Sequence, residues 1–195
     1  SADYDGDGKA DLAVYAPGSG MWYIRKSTGG GLVSSSWGWS KTVPVPADYD
    51  GDGKADLAVY WPEGGKWYIR KSTGGSATIS WGWSETVPVP ADYDGNGKAD
   101  VGVYWPESGK WYIRSLAGAT LAFGVNWGWD QTVPVPADYN GDGKADLGFY
   151  WPAGGKWYIR SLSGAVQKWG LNWGWVQSVP VPAVHRQAEN SKNFL

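Results

Sequence analysis

The sequence predicts an all-β protein built from repeated four-stranded units, and three observations support this fold class. One ten-residue pattern occurs four times along the chain, and each copy continues into short segments rich in Trp and Tyr. Turn-forming residues are frequent, with 30 Gly and 12 Pro among 195 residues. Aromatic segments between frequent turns are typical of short packed strands. No stretch shows a sustained helical period with capping residues.

The four copies follow one another at intervals of 45, 44 and 46 residues. The pattern reads ADYDGDGKAD from Ala2 and Ala47, ADYDGNGKAD from Ala91, and ADYNGDGKAD from Ala137. Each copy then runs through YxP and WYIR to WGW and VPVPA. We therefore divide the chain into one domain at 1–183, with repeats at about 2–46, 47–90, 91–136 and 137–183, and a non-repeat tail at 184–195.

Each copy is expected to form four strands. In the second copy, TVPVPA is extended because proline fixes its own φ and restricts the preceding residue. Side chains of the segment at 57–61 alternate between the two sheet faces, and a Gly-Gly turn leads from it into the segment at 66–70. ISWGW supplies the last strand. We expect Trp67 and Ile69 to share a sheet face with Leu57 and Val59. Tyr68 should then lie on the opposite face.

A four-stranded unit of this size with two apolar faces predicts a β-propeller, whose blades typically span about 40 to 50 residues. The first copy lacks a VPVP segment, whereas the fourth copy ends with one at Val179 to Ala183. This segment is expected to pair into the first blade and close the ring, which leaves no open sheet edge. Closure within one chain gives four blades, which is the arrangement that we expect. Closure between two chains gives a larger ring and a homodimer formed by strand exchange.

Oxygen-bearing groups recur at every second position of each repeated loop. In the second copy, Asp48, Asp50, Asp52 and Asp56 stand at positions 1, 3, 5 and 9, and the Lys54 carbonyl stands at position 7. This spacing suits a hard cation that takes roughly six to eight oxygen ligands. The sequence predicts one Ca²⁺ per repeat, about four in all. The expected ligands are Asp3, Asp5, Asp7, Lys9 and Asp11; Asp48, Asp50, Asp52, Lys54 and Asp56; Asp92, Asp94, Asn96, Lys98 and Asp100; and Asp138, Asn140, Asp142, Lys144 and Asp146.

Two other interpretations of these loops are weaker. An EF-hand needs a bidentate Glu at position 12 and flanking helices, but position 12 holds Val or Phe in every copy. Plain solvated turns would leave 14 of the 19 acidic residues crowded in four loops without a neutralising ion. Asn96 and Asn140 keep an oxygen but remove a charge, so their loops are expected to hold calcium less firmly.

The motif DxDGDGKADLAVY and its Asn variants resemble the FG-GAP/VCBS repeats of secreted bacterial proteins and the calcium-binding blades of integrin α-subunits. The resemblance extends over residues 1–183. It implies propeller blades with calcium in the first hairpin, a secreted or extracellular setting, and use in adhesion or glycan binding. The copies lack a consistent FGxxxxxG pattern, and there are fewer of them than in an integrin propeller. Partner binding of the integrin type is therefore not implied.

Composition and motifs argue against several functions. A formal charge of −2 gives no reason to expect nucleic-acid binding, and no apolar run is long enough to enter a membrane. The chain has no Cys, one His in the tail and no GxSxG motif, so the sequence predicts no catalytic residue.

The function predicted from the sequence is a calcium-stabilised, lectin-like module for a glycan or a protein surface. The alternative is a purely structural or self-assembling scaffold with no ligand beyond calcium. Aromatic rings from the WGW segments are the candidate ligand-binding groups, at Trp37, Trp39, Trp81, Trp83, Trp127, Trp129, Trp173 and Trp175.

Overall fold

A computed structural model describes residues 2–176 and 178–181. Its strands form four antiparallel sheets, one for each repeat. The first contains β1 (Leu12–Ala16), β2 (Met21–Arg25) and β3 (Leu32–Ser36). The second contains β4 (Val43–Pro44), β5 (Leu57–Trp61), β6 (Lys66–Arg70) and β7 (Ser76–Ser80). The third contains β8 (Val87–Pro88), β9 (Val101–Trp105), β10 (Lys110–Arg114) and β11 (Thr120–Asn126). The fourth contains β12 (Val133–Pro134), β13 (Leu147–Trp151), β14 (Lys156–Arg160) and β15 (Val166–Asn172).

The predicted all-β propeller fold is confirmed. Its central strands form where the sequence alternates, and a short 3₁₀ turn at Pro62–Gly64 connects β5 to β6. Gly65 ends that turn with a φ of 56°, and a Cβ there would lie 2.0 Å from the Gly82 carbonyl oxygen, so only glycine fits. Among the described residues, no helix has the length and apolar character that crossing a membrane would require.

The hydrophobic core lies between neighbouring sheets. Tyr60, Trp67 and Ile69 of the second sheet are fully buried and belong to one cluster with Val101 and Val103 of the third. A second cluster joins the third and fourth sheets in the same way. The sheets are therefore blades that bury both faces against each other, apart from the outward faces of the first and fourth.

The assignment of side chains to sheet faces was wrong. β5 and β6 pair with Trp61 opposite Lys66, which places Val59 opposite Tyr68 and Tyr60 opposite Trp67. Residues opposite each other in an antiparallel pair share a face. Trp67 therefore lies beside Tyr60, with ring centroids 5.1 Å apart, while Tyr68 lies on the face of Val59.

The last strand of each blade ends before the WGW segment, contrary to the prediction that ISWGW forms one strand. β7 stops at Ser80, and Gly82 has a φ of 119°, which an extended strand does not allow. The same glycine has a positive φ in the other three copies. The two indoles of each WGW therefore do not project as alternate residues of a strand.

Closure of the ring by the C-terminal strand is not found in the described residues. Among the residues that the structure describes, the first sheet has three strands, and β1 has no strand partner at its outer edge. Residues 178–181 form no strand, and Val179 and Val181 are 82% and 85% exposed. Pro182, Ala183 and the tail at 184–195 lie outside the described residues.

Leu12 and Leu147 occupy the same repeat position and form a matched pair for a stability test. Leu147 is fully buried between blades, whereas Leu12 is 70% exposed on the first blade. We expect Leu147→Ala to lower the free energy of unfolding by about 2 to 5 kcal/mol. Leu12→Ala should change it by about 0.5 kcal/mol or less. Denaturant unfolding of both variants measures this, and equal losses would contradict the blade arrangement.

Candidate metal-binding loops

The first aspartate of each loop determines how the loop folds. In the second copy, Oδ1 of Asp48 accepts a hydrogen bond from the Gly51 amide at 2.6 Å, and Oδ2 accepts one from the Gly53 amide at 2.8 Å. Both glycines have φ values above 80°, in the left-handed region. The backbone therefore curls around the carboxylate at position 1, and the glycines make that curl possible.

The ninth residue closes the loop. Asp56 is 1% exposed, and its backbone pairs with Ala47 across the base of the loop. Its Oδ2 accepts a hydrogen bond from the Tyr49 amide at 2.9 Å, and its Oδ1 accepts one from the Ser72 amide at 2.7 Å. Ser72 belongs to the turn between β6 and β7, so this carboxylate joins two hairpins of the blade.

Three carboxylates converge in each of the first three loops. At positions 1, 3 and 9, one oxygen from each residue lies within 4.8 Å of the others. In the second loop, Oδ1 of Asp50 is buried and has no hydrogen-bond partner among the described residues. A buried carboxylate oxygen without a donor is unfavourable unless a cation neutralises it. The residues therefore fit an oxygen-liganded ion such as Ca²⁺. The three groups are Asp3, Asp5 and Asp11; Asp48, Asp50 and Asp56; and Asp92, Asp94 and Asp100.

Position 5 lies outside these three groups. Oδ1 of Asp52 accepts a hydrogen bond from the Lys54 amide at 2.9 Å, and Oδ2 accepts one from the Ser72 hydroxyl at 2.6 Å. Thr73 contacts Asp50 from the same β6–β7 turn. Ser72 and Thr73 were not predicted as part of the site, although the RKSTGG segment shared by the first two copies was a signal. Position 5 is Asp7, Asp52, Asn96 and Asp142 in the four copies, and the position 7 carbonyls belong to Lys9, Lys54, Lys98 and Lys144.

In the fourth loop, side-chain amides donate hydrogen bonds to the carboxylate at position 9. Asn140 accepts a hydrogen bond from the Asp142 amide through Oδ1, which directs its Nδ2 toward Asp146 Oδ1 at 3.4 Å. Gln167 donates to the same oxygen at 2.7 Å. Leu121 holds the position of Gln167 in the third copy. Two side-chain amides thus surround the carboxylate of Asp146, the ninth residue of the loop that begins at Asp138.

The pKa of the ninth residue is raised in the second and third loops. Burial raises the pKa of Asp56 to about 6, and the carboxylates of Asp50 and Asp48 add to the rise. Burial likewise raises the pKa of Asp100 to about 7, with Asp94 and Asp92 acting in the same direction. Both pKa values remain high although backbone N–H groups donate to these carboxylates, because desolvation outweighs those hydrogen bonds.

The loops of neighbouring blades are joined by backbone hydrogen bonds. The Ala99 amide donates to the carbonyl of Asp48 in the preceding loop at 2.7 Å. Ala55 donates to Asp3 and Ala145 donates to Asp92, each at 2.6 Å. The residue that curls one loop therefore also accepts a bond from the next blade. Sequence reasoning missed this role of position 8, whose constant alanine was the only signal.

The WGW indoles lie at the junctions between blades. Trp37 Nε1 donates to the Tyr68 carbonyl of the next blade at 3.0 Å, and Trp81 Nε1 donates to the Tyr112 carbonyl at 3.1 Å. The buried Trp127 has no such partner among the described residues, but the Arg160 guanidinium lies 5.5 Å from its ring centroid.

The second indole of each WGW covers the same junction. Trp39, Trp83 and Trp129 pack edge-on against a tyrosine of the next blade, with centroids 5.0 to 5.2 Å apart. Trp39 and Trp129 are 37% and 36% exposed, whereas Trp173 and Trp175 of the fourth copy are both 77% exposed. Six of the eight predicted ligand-binding indoles therefore also hold blades together.

Comparison with known protein families identifies one match. Residues 3–59 match the family model described as an FG-GAP-like repeat. This region includes the whole first repeat and the loop of the second. No curated protein sequence matches the chain.

Solved structures with similar folds are β-propeller-like. Virginiamycin B lyase from Staphylococcus aureus has a TM-score of 0.56 at 11% identity, covering 87% of this chain and 54% of its own. A lectin from Agrocybe aegerita that recognises non-reducing terminal N-acetylglucosamine has a TM-score of 0.56 at 22% identity, covering 81% and 46%. A streptogramin B lyase has a TM-score of 0.50 at 11% identity, covering 86% and 52%. The chain thus spans about half the length of these structures, and lyases and a lectin share its fold.

The raised pKa values predict how pH affects the chelator-treated protein. In the folded state Asp56 and Asp100 bind a proton more readily than in the unfolded chain, where aspartate titrates near 3.8. Their stabilising contribution is therefore complete below about pH 4 and is lost as the pH rises through about 6 to 7. We expect the Tm in EDTA to rise as the pH is lowered from about 8 to about 5.

Calorimetry across this interval measures the effect. The control is Asp56→Asn/Asp100→Asn, in which the slope should flatten because neither group titrates. A Tm that falls or stays constant on acidification of the unsubstituted protein would contradict the assigned burial of these carboxylates.

Proposed function

We propose that the protein is a non-catalytic, calcium-stabilised module that binds a glycan. Residues 3–59 match an FG-GAP-like repeat, three further copies of its motif follow, and the four copies fold as propeller blades. The proposal has two parts, a structural ion in the loops and a carbohydrate at the blade junctions.

The buried, unpartnered Asp50 Oδ1 is the observation that carries the calcium part. Carboxylates at positions 1, 3 and 9 would hold the ion, with the position 7 carbonyl and the position 5 side chain completing the oxygen set. Calcium supplies positive charge where three carboxylates meet and favours their ionised forms. We place the module outside the cell, where calcium sites with dissociation constants of about 10⁻⁴ to 10⁻³ M are filled.

The half-exposed indoles at equivalent junctions carry the glycan part. Trp39, Trp83 and Trp129 each bury one edge against the next blade and leave part of the ring accessible. An indole presents a rigid apolar face, and sugar rings can stack on such a face. Lys41 and Glu63 form an exposed ion pair of 2.9 Å beside the first of these junctions and offer polar contacts to hydroxyl groups. Three equivalent sites would convert weak contacts into useful avidity.

The non-catalytic part of the proposal is supported by the hydrogen bonds that the loop carboxylates already make. The loop carboxylates accept hydrogen bonds from their own backbone, as at Asp48 and Asp56. The lyases share the fold with this chain, and at 11% identity this similarity concerns the fold alone.

A structural scaffold is the second candidate. It is favoured by the use of Trp37 and Trp81 as hydrogen-bond donors across blade junctions. If those contacts are the whole purpose of the WGW segments, the protein binds calcium and no glycan.

Calorimetric titration with calcium tests the first part. We expect the first two sites to be the tightest and the third to be weaker, because Asn96 carries no charge. The fourth should be the weakest, because Asn140 carries no charge and side-chain amides already donate to Asp146. A hundredfold excess over Kd should stabilise the fold by about 2.7 kcal/mol per site. Asn140→Asp/Gln167→Leu should tighten the fourth site, and the matched change Leu121→Gln should weaken the third. No calcium binding, or a Tm indifferent to chelator, would refute the proposal.

A glycan array probed in calcium tests the second part. We expect binding to fall by about tenfold or more for Trp39→Ala/Trp129→Ala, since aromatic stacking is lost at two of three sites. Leu32→Ala, which truncates a side chain 70% exposed on β3, is the control and should bind normally. Calcium binding without any glycan signal would favour the scaffold, and capture by proteins alone would indicate a protein surface as ligand.

A further inference from the structure

The two end blades expose surfaces that are buried at every internal junction. Val59 and Val103 are fully buried against the preceding blade, whereas Val14 at the same repeat position is 64% exposed. At the other end, Trp173 and Trp175 are both 77% exposed, whereas the equivalent Trp127 is 8% exposed. We call the exposed face of the first blade around Val14 the acceptor face, and the exposed face of the fourth blade around Trp173 and Trp175 the donor face. At an internal junction, surfaces of these two types pack against each other.

Backbone groups at these ends are complementary as well. The edge of β1 lacks the short strand that β4 provides to β5, where Val43 lies opposite Tyr60 and Pro44 opposite Val59. Residues 179–181 repeat the VPV sequence of residues 43–45 and are unpaired among the described residues. The Asp138 carbonyl and the Ala10 amide stand where the other loops form their interblade hydrogen bond.

The exposure of the two end faces indicates which molecule could join them. In the single chain, Val14 of the acceptor face is 64% exposed and Trp175 of the donor face is 77% exposed, so the two faces do not meet within one copy. A second copy placed head to tail would present a donor face to each acceptor face.

We infer that two copies of this chain assemble head to tail into one closed ring of eight blades. In each of the two new junctions, residues 179–181 of one copy add a strand to β1 of the other, with Val179 opposite Tyr15 and Pro180 opposite Val14. Trp173 and Trp175 cover Tyr23, as Trp37 and Trp39 cover Tyr68. The ring size is within the range of known propellers, and closure removes both open sheet edges.

One substitution makes the new junction weaker than the internal ones. Ala16 stands where Trp61, Trp105 and Trp151 stand in the other copies. These tryptophans contact the second WGW indole of the preceding blade, with centroids 5.5 to 5.9 Å apart. Without this contact the two-chain ring should dissociate on dilution, whereas the internal junctions stay formed.

Sedimentation equilibrium of the 195-residue chain in calcium measures the assembly. We expect a species of about twice the chain mass of 21.1 kDa, in reversible equilibrium with the monomer. Val14→Glu and Trp175→Ala should give monomers with unchanged circular dichroism, because both side chains are already exposed in the single chain. Val166→Glu is the matched control, since Val166 lies opposite Arg160 on the face turned toward the third blade and should leave the dimer intact.

A variant that strengthens the junction distinguishes this assembly from nonspecific association. Ala16→Trp restores the missing indole and should tighten the dimer by about two- to tenfold at each junction. A monomer at all concentrations, including one closed on itself, would overturn the inference. So would higher open oligomers, or a dimer that persists unchanged in Val14→Glu.

Discussion

Every blade junction in this protein depends on an acidic loop that keeps one shape. The first aspartate of the loop curls the backbone with its carboxylate, while its carbonyl accepts the amide of the next loop. If the loop opened, the blade would lose the hydrogen bonds within its own turn and also the backbone hydrogen bond to the next blade. Three carboxylates within one turn repel each other, so this shape is stable at neutral pH only when a cation or donated hydrogen bonds balance the charge.

The aromatic residues are a second constraint on the structure, because they connect neighbouring blades at positions that the loops do not reach. Each of the first three WGW segments leaves its own blade at the end of the last strand and places two indoles on the next blade. The positive φ of Gly82 allows this change of direction, and the Tyr112 carbonyl and ring receive the two indoles. Packing of these indoles between blades therefore explains why the sequence contains many Trp residues. It also explains why only part of each indole ring is left exposed for a ligand.

Much of the blade could be predicted because it follows from local pattern. The strands at 57–61 and 66–70 lie where alternation and a Gly-Gly turn placed them. The face assignment failed because it depends on the pairing of Trp61 with Lys66, which the geometry of the connecting turn determines. The loop ligands at positions 1, 3 and 9 were brought together, but Ser72 engages Asp52 from another hairpin. Closure by the VPVP segment was predicted and is not found in the described residues, because closure depends on small angles between blades that the repeat sequence does not specify.

Hydrogen exchange at the interblade amides measures whether calcium in the loops stabilises the blade junctions. If calcium fixes the loops and the loops fix the junctions, the amides of Ala55, Ala99 and Ala145 should exchange more slowly when calcium is added. At a hundredfold excess over Kd the slowing should approach about a hundredfold, whereas the Val45 amide, bonded to Ala58 within the second sheet, should change less. Exchange at the three alanines that is unaffected by calcium, or slowed only as much as at Val45, would contradict the account.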